Sequence, residues 1–313
     1  MELIRSLNRL GSRQAGCVAT IGNFDGVHRG HQAVLRQLGD IAQERNLPKL
    51  VITFEPHAQE YFRPDKAPPR LTRWREKFEL LRAHGIDRVV CLRFDEQLAA
   101  LPARVFVEYV LVAGLRVKCL VVGNDFRFGM GREGDCAMLE AMAPAYGFEV
   151  VRAETYTQNG ERVSSTAVRL ALGAGDLERA RQLLGRYYSI SGRIGHGDKH
   201  GRALGFATAN IDLHRRQSPL RGIFVARVFG IANTGLPAVA YIGSHSNMKG
   251  TRNPLEVHIF DFARECYGIR VWVEFIKKLR DDKYFDSLEA LKHQIAADAE
   301  RARAILGLQQ LTS

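Results

Sequence analysis

From about residue 16 to 153 the chain alternates short apolar runs with stretches of helical period. The runs are CVATIG (17–22), LVITF (50–54), RVVCL (88–92), KCLVVG (118–123) and FEVVRA (148–153), and the segment from His31 to Glu44 is one of the helical stretches between them. Strand-length runs separated by helix-length segments predict a parallel sheet with crossover helices. A ligand of such a sheet is expected beyond the carboxyl ends of its strands. After Gly185 the runs are short, punctuated by glycine and too close together for intervening helices: 187–206, GIFVARVFG (222–230), AVAYIG (238–243), LEVHIFDF (255–262) and IRVWVEFI (269–276). That texture predicts a small antiparallel barrel.

Near the end, Leu288, Leu291, Ile295, Ala299, Ala302 and Ile305 recur at spacings of three and four behind the caps Asp286 and Ser287. One amphipathic helix packed on the barrel follows. The fold class is thus α/β: a Rossmann-like domain with a parallel sheet, followed by a small antiparallel β-barrel domain with a C-terminal helix. A length of 313 residues exceeds the size at which single cores stop growing. The boundary is expected at Gly185–Arg186, giving domains 1–185 and 186–313, with short helices over 166–171 and 176–184 leading into it.

Composition narrows the class further. No run approaches the roughly 18 uninterrupted apolar residues of a membrane span, and the charged start MELIRSLNRLGSRQAG lacks the apolar core of a signal peptide. A cytoplasmic location is expected, with no membrane partner. Cys17, Cys91, Cys119, Cys136 and Cys266 contain no CxxC pair, which fits reduced thiols better than a disulfide framework or a zinc site. The net charge of +11 suits a nucleic-acid binder or an enzyme of phosphorylated anions alike, and the basic residues are spread rather than clustered.

The strand CVATIG runs directly into Asn23, Phe24, Asp25, Gly26, Val27, His28, Arg29, Gly30 and His31, where helical period begins. Gly22, Gly26 and Gly30 let backbone approach a ligand closely, and a helix starting there aims N–H groups and a positive dipole end at an anion. His28 and His31 can both donate to charge developing on a phosphoryl group. A metal is the competing use of such a pair, but it would want a third ligand. No GxxxxGK[ST] loop occurs anywhere, so a triphosphate must be held another way. Farther on, Ser164, Ser165 and Thr166 precede a helix pattern and Arg169 follows one turn later. That arrangement suits a pyrophosphate, and equally an ordinary capped helix start. The stretch 192–211, rich in glycine, basic and hydroxyl residues and including Gly195 and Gly201, can fold N–H groups around phosphates or simply turn a barrel corner.

GNFDGVHRGH resembles the HxGH loop of the nucleotidyltransferase superfamily, and its NFDG lead-in is most like the FAD synthetase branch. The chain from about 16 to 306 resembles the bacterial bifunctional riboflavin kinase/FAD synthetase family. The resemblance implies transfer of AMP from ATP to FMN, with His28 and His31 stabilising the ATP phosphates, Asn23 and Asp25 shaping the loop, and Ser164, Ser165, Thr166 and Arg169 holding pyrophosphate. The segment 122–129 is similar to the family's flavin and adenine loop, which implies that Asn124, Phe126 and Phe128 bind flavin; core packing is the competing reading of the two rings. Phe54, Pro56 and His57, at a strand end, receive the same kind of role. ATAN (207–210) resembles the GFPTAN element of riboflavin kinase with Ala207 in place of proline, which implies that Thr208 and Asn210 bind Mg2+ and ATP phosphates. LEVHIFDF resembles the EVHxxDF strand, which makes Glu256 the base of riboflavin phosphorylation. Arg280 and Phe285 match the closing segment beside the flavin.

The implied ligands are ATP, riboflavin, FMN, FAD and Mg2+. The partners are small molecules rather than nucleic acid, and a homo-oligomer is compatible. One departure stands out: Gly243 to Met248 reads GSHSNM where the family has a GTRPT-like stretch. A chain with one degenerate module, a nucleotidyltransferase for another phosphorylated acceptor, and a basic nucleic-acid-binding barrel are the alternatives.

Overall fold

The computed structural model describes residues 1–5, 16–196, 206–213, 215, 217–243 and 254–308. By internal contacts the chain divides into two units, Met1–Pro68 with Thr72–Ser164, and Pro69–Leu71 with Ser165–Ser313.

The first unit runs β1 (Glu2–Ile4), β2 (Cys17–Ile21), α1 (Arg29–Glu44), β3 (Lys49–Glu55), α2 (Ala58–Phe62), α3 (Trp74–Ala83) and β4 (Arg88–Arg93). It continues with α4 (Glu96–Ala99), α5 (Ala103–Phe106) extended by a π-type turn over Val107–Gly114, β5 (Val117–Gly123), α6 (Cys136–Tyr146), β6 (Glu149–Ala153) and the hairpin β7 (Thr157–Gln158) and β8 (Glu161–Arg162). Six strands form one sheet in the order β1-β4-β3-β2-β5-β6, with every neighbouring pair parallel. Side-chain alternation sends Val18, Val51, Val89 and Val121 to one core with Leu35, Leu38 and Leu81. Ala19, Ile52, Val90 and Val122 join the opposite core with Phe106, Leu111 and Leu139. Apolar burial on both faces explains why these strands read as near-continuous hydrophobic runs.

The order reverses at β2, whose neighbours are β3 on one side and β5 on the other. Such a switch point opens a crevice outside the carboxyl ends of the two strands that flank it. The loops after β2 and β5 are those that carry the GNFDGVHRGH and NDFRFG motifs. The edge strand β1 pairs Glu2–Ile4 with Arg88–Val90, and its three residues carry too little pattern to be predicted.

The second unit begins with α7 (Ser165–Ala174) and α8 (Leu177–Leu184), followed by β9 (Tyr188–Gly195), β10 (Ala209–Asp212), β11 (Gly222–Phe229), β12 (Leu236–Ile242), β13 (Pro254–Ile259), β14 (Arg270–Arg280) and α9 (Leu288–Leu306). The six strands close into an antiparallel barrel in the order β10-β13-β12-β11-β14-β9. Ile190, Phe224, Ala240, Val257 and Phe275 are fully buried within it. Ser287 caps α9 by accepting from the Ala290 N–H at 3.1 Å. The helix packs on β11, β12 and β14.

Its contact face differs from the predicted stripe. Leu288 and Ile305 are exposed, whereas Ala302 is buried among Ile223, Val225 and Leu279. Ala299 and Leu306 pack against the same cluster, and Asp298 is buried where Arg280 reaches across to it with both Nε and Nη2. Among the described residues no helix is long and apolar enough to cross a membrane.

Candidate functional site

In the first unit the chain leaves β2 through a loop that is pinned from below. Phe24 and Val27 adopt left-handed backbone, at φ 47° and 40°, and both side chains are buried in the core under α1. Such conformations cost a non-glycine residue free energy, and here apolar burial holds them. Gly26 lies between them at φ 86°, and its N–H donates to Thr72 Oγ1 at 2.9 Å. Asp25, 2% exposed, accepts from both the N–H and the hydroxyl of Thr72, at 2.9 and 3.1 Å. Asp25 therefore sets the loop's shape from inside. Asn23 offers its carbonyl to Thr53 Oγ1, and at Gly22 a Cβ would press on the Phe24 ring at 3.2 Å.

His28 is the N-cap of α1, and its Nδ1 accepts the His31 N–H at 3.3 Å. With Nδ1 accepting, the N–H of the ring is on Nε2. The two imidazoles stack at 3.7 Å between centroids. His31 Nδ1 is sealed from solvent without a hydrogen-bond partner among the described residues. Burial, then the neighbouring His28 and Lys77, hold His31 well below the ordinary histidine pKa. Two stacked imidazoles beside a helix N-terminus offer a cradle for an anion.

Gly30 shows how the second motif reaches the first. A Cβ there would meet the Val163 carbonyl and the His28 ring, each at 3.1 Å, so the backbone leading into Ser164 lies against the histidine loop. Ser165, Thr166 and Arg169 stand in the first turns of α7, grouped by contacts with the second unit, and Arg169 Nε donates to the Pro69 carbonyl at 2.7 Å.

Of the residues after β5, Asn124 is exposed and Phe126 half-buried, while Phe128 is a core residue against Phe106. Phe126 stacks on Phe128 at 5.5 Å, so the inner ring supports the outer one. Phe54, at the end of β3, joins Phe94 in an aromatic group that includes Tyr61 and Phe62, the latter 62% exposed. Pro56 follows a cis bond, and His57 is buried.

Sequence reasoning missed Thr72, Lys77 and Arg162. Thr72 braces Asp25, Lys77 is fully buried with its Nζ 3.0 Å from His57 Nε2, and Arg162 pairs with Asp125 at 2.6 Å. REK in a helical pattern reads as a solvated face, and only the fold reveals Lys77's burial. Apart from Asp298, every buried polar or charged residue among those described (Thr20, Asp25, His28, Thr53, His57, Thr72 and Lys77) belongs to this unit.

In the second unit, strand pairing places the predicted residues on one row around the barrel. Gly195 pairs with Asn210, Asn210 with Glu256, Glu256 with Tyr241, Tyr241 with Ile223, and Ile223 with Arg280. Directly paired residues point to the same face. Leu255 and Val257 are buried inside the barrel, so Glu256, between them, lies on its outer face. Thr208 stands two residues before Asn210 and borders a pocket with Ala207, Phe262, Arg264 and Tyr267. The Ala207 carbonyl lies 2.9 Å from His258 Nδ1. Tyr241 donates to Asp282 at 2.8 Å, and Arg280, bound to Asp298, lies 5.7 Å from the Phe285 ring. Arg280 thus anchors the segment joining β14 to α9. Gly201 and the stretch Ser244–Met248 lie outside the described residues.

No group of three histidine, cysteine or acidic residues among those described could hold a metal. Thr208 and Asn210 instead offer hard, neutral oxygens, the donor set that suits Mg2+ when waters and substrate phosphates complete the shell.

Comparison with known proteins agrees with both halves. Residues 11–167 match the family model described as FAD synthetase, and residues 184–306 match that described as riboflavin kinase. A protein of Escherichia coli K12, named bifunctional riboflavin kinase/FMN adenylyltransferase, is 49% identical over 98% of this chain and 99% of its own. A protein of the same name from Pseudomonas fluorescens is 47% identical over 97% of this chain and 98% of its own. A crystal structure from Streptococcus pneumoniae, described as a macrolide-efflux protein, is 29% identical and superimposes with a TM-score of 0.81 over 96% of this chain and 98% of its own. The chain belongs to the bifunctional riboflavin kinase/FMN adenylyltransferase family.

Proposed function

We propose that the chain makes FMN and then FAD in two ATP-dependent steps, with residues 186–313 acting as the riboflavin kinase domain and residues 1–185 as the FMN adenylyltransferase domain. The observation that supports the reading is the strand pairing that sets Gly195, Asn210 and Glu256 side by side on the outer surface of the barrel. The His28–His31 cradle at the sheet's switch point supplies a second, separate set of phosphate-handling groups.

In the first step the riboflavin 5′-oxygen attacks the γ-phosphorus of ATP, the bond to the β,γ-bridging oxygen breaks, and ADP leaves. Glu256 takes the hydroxyl proton. Thr208 and Asn210 would hold Mg2+, which screens phosphate charge when bound, and the assignment of Gly195 and Gly201 to the phosphates rests on the sequence alone. Arg280 acts on the flavin side through the segment it anchors.

In the second step an FMN phosphate oxygen attacks the α-phosphorus of ATP and the bond to the α,β-bridging oxygen breaks, so pyrophosphate departs. His28 and His31 donate to the phosphate oxygens as charge moves toward the leaving group. Gly22, Asn23, Asp25 and Gly30 fix the loop around the phosphates. Asn124 and Phe126, backed by Phe128, receive the flavin. Assignment of Ser164, Ser165, Thr166 and Arg169 to pyrophosphate rests on the motif alone. The five cysteines are free thiols, in keeping with action in the reducing cytoplasm.

The test is chromatography of flavins after incubation with Mg-ATP and either riboflavin or FMN. Formation of FMN from riboflavin and of FAD from FMN supports the reading. Failure of both overturns it.

A further inference from the structure

Lys77, on α3, is 0% exposed. An ammonium taken out of water is among the costliest groups to bury, so its position calls for a use. Its Nζ lies 3.0 Å from Nε2 of His57. The contact ties the Lys77 amine to the His57 imidazole inside the fold. His57 caps α2 just past the end of β3, and β3 neighbours the strand that carries the histidine loop. Lys77's charge is also felt at His31. The chain has no P-loop lysine, and this buried one contacts an imidazole of the same unit.

We propose that Lys77 is a positioning residue of the adenylyl-transfer site: its amine fixes the His57 ring at the carboxyl end of β3, beside the strand that carries the His28–His31 cradle. A side chain locked inside the fold holds its partner without reorganisation when the substrate arrives. The lysine serves through His57. The proposal rests on the FMN-adenylylating reading of this unit.

Lys77→Met keeps the side chain's length and removes its charge. Three quantities are measured on the purified full-length variant: FAD formed from FMN and ATP, FMN formed from riboflavin and ATP, and the thermal midpoint. A fourth is the 15N shift pattern of His57 in wild type and variant. The expected result is a fall of ~10²-fold in kcat/KM for adenylylation, with riboflavin phosphorylation unchanged and the His57 15N pattern altered. Assays are run well below the variant's own thermal midpoint, because removing one partner of a buried contact lowers stability whatever its role. Adenylylation retained in the variant overturns the proposal. So does activity lost while the His57 15N pattern stays as in wild type, the outcome of a merely structural lysine. Wild-type protein that makes no FAD sinks the adenylylation reading, and the proposal with it.

Discussion

Asn210 on β10 and Glu256 on β13 stand directly opposite each other in antiparallel register, on the outer face of the barrel. Their separation in sequence disappears in the ladder, which brings an amide and a carboxylate onto one patch. A carboxylate on an outer barrel face is otherwise an ordinary solvated residue, and its pairing gives it a chemical neighbour.

Glu256→Gln keeps size and hydrogen bonding but removes the base. Phosphorylation of riboflavin should fall by ~10²–10⁴-fold, while conversion of FMN to FAD should be unchanged. Initial rates of the two half-reactions, assayed separately, check this.

Gly30→Ala should damage only the other step. The new methyl would stand 3.1 Å from both the Val163 carbonyl and the His28 ring, and the carbonyl is backbone that cannot swing aside. The cradle must open, so KM for ATP in FAD formation should rise. Riboflavin phosphorylation is the internal control.

His31 gives the first unit an acid-sensitive stability. It is held neutral when folded, by burial, His28 and Lys77, but titrates near the ordinary histidine value when unfolded. The unfolded chain then binds more protons below about pH 6.5. This contribution is complete above that pH and is lost as pH falls toward the lowered folded value, by up to about 1.4 kcal/mol per pH unit. Trp74 fluorescence in a Trp272→Phe background, followed through denaturation at several pH values, measures it. His31→Gln should flatten the dependence.

Asp298→Ala should destabilise the barrel by about 3 kcal/mol, because it strands the largely buried guanidinium of Arg280. The midpoint for the second unit should drop, and riboflavin KM should rise as the anchored segment loosens. Urea denaturation and steady-state kinetics report the two effects.

Much of this was legible in the residues. Alternating runs gave the parallel sheet because both its faces are buried, as Val51 and Ile52 illustrate by feeding opposite cores. Close glycine-bounded runs gave the barrel. The HxGH loop could be placed because a strand feeds it and a helix follows. What stayed hidden depends on long-range pairing. No local signal sets Glu256 beside Asn210, buries Lys77 under His57, or commits Arg280 to Asp298 on α9. The apolar stripe of α9 misled at Leu288 and Ile305, since the helix meets the barrel through Ala302 and Asp298 instead.

The most direct test of the account is to incubate the purified chain with Mg-ATP and riboflavin and follow riboflavin, FMN and FAD by chromatography over time. FMN should appear first and FAD after it. Riboflavin left unchanged, with added FMN also left unchanged in a parallel sample, would contradict the account.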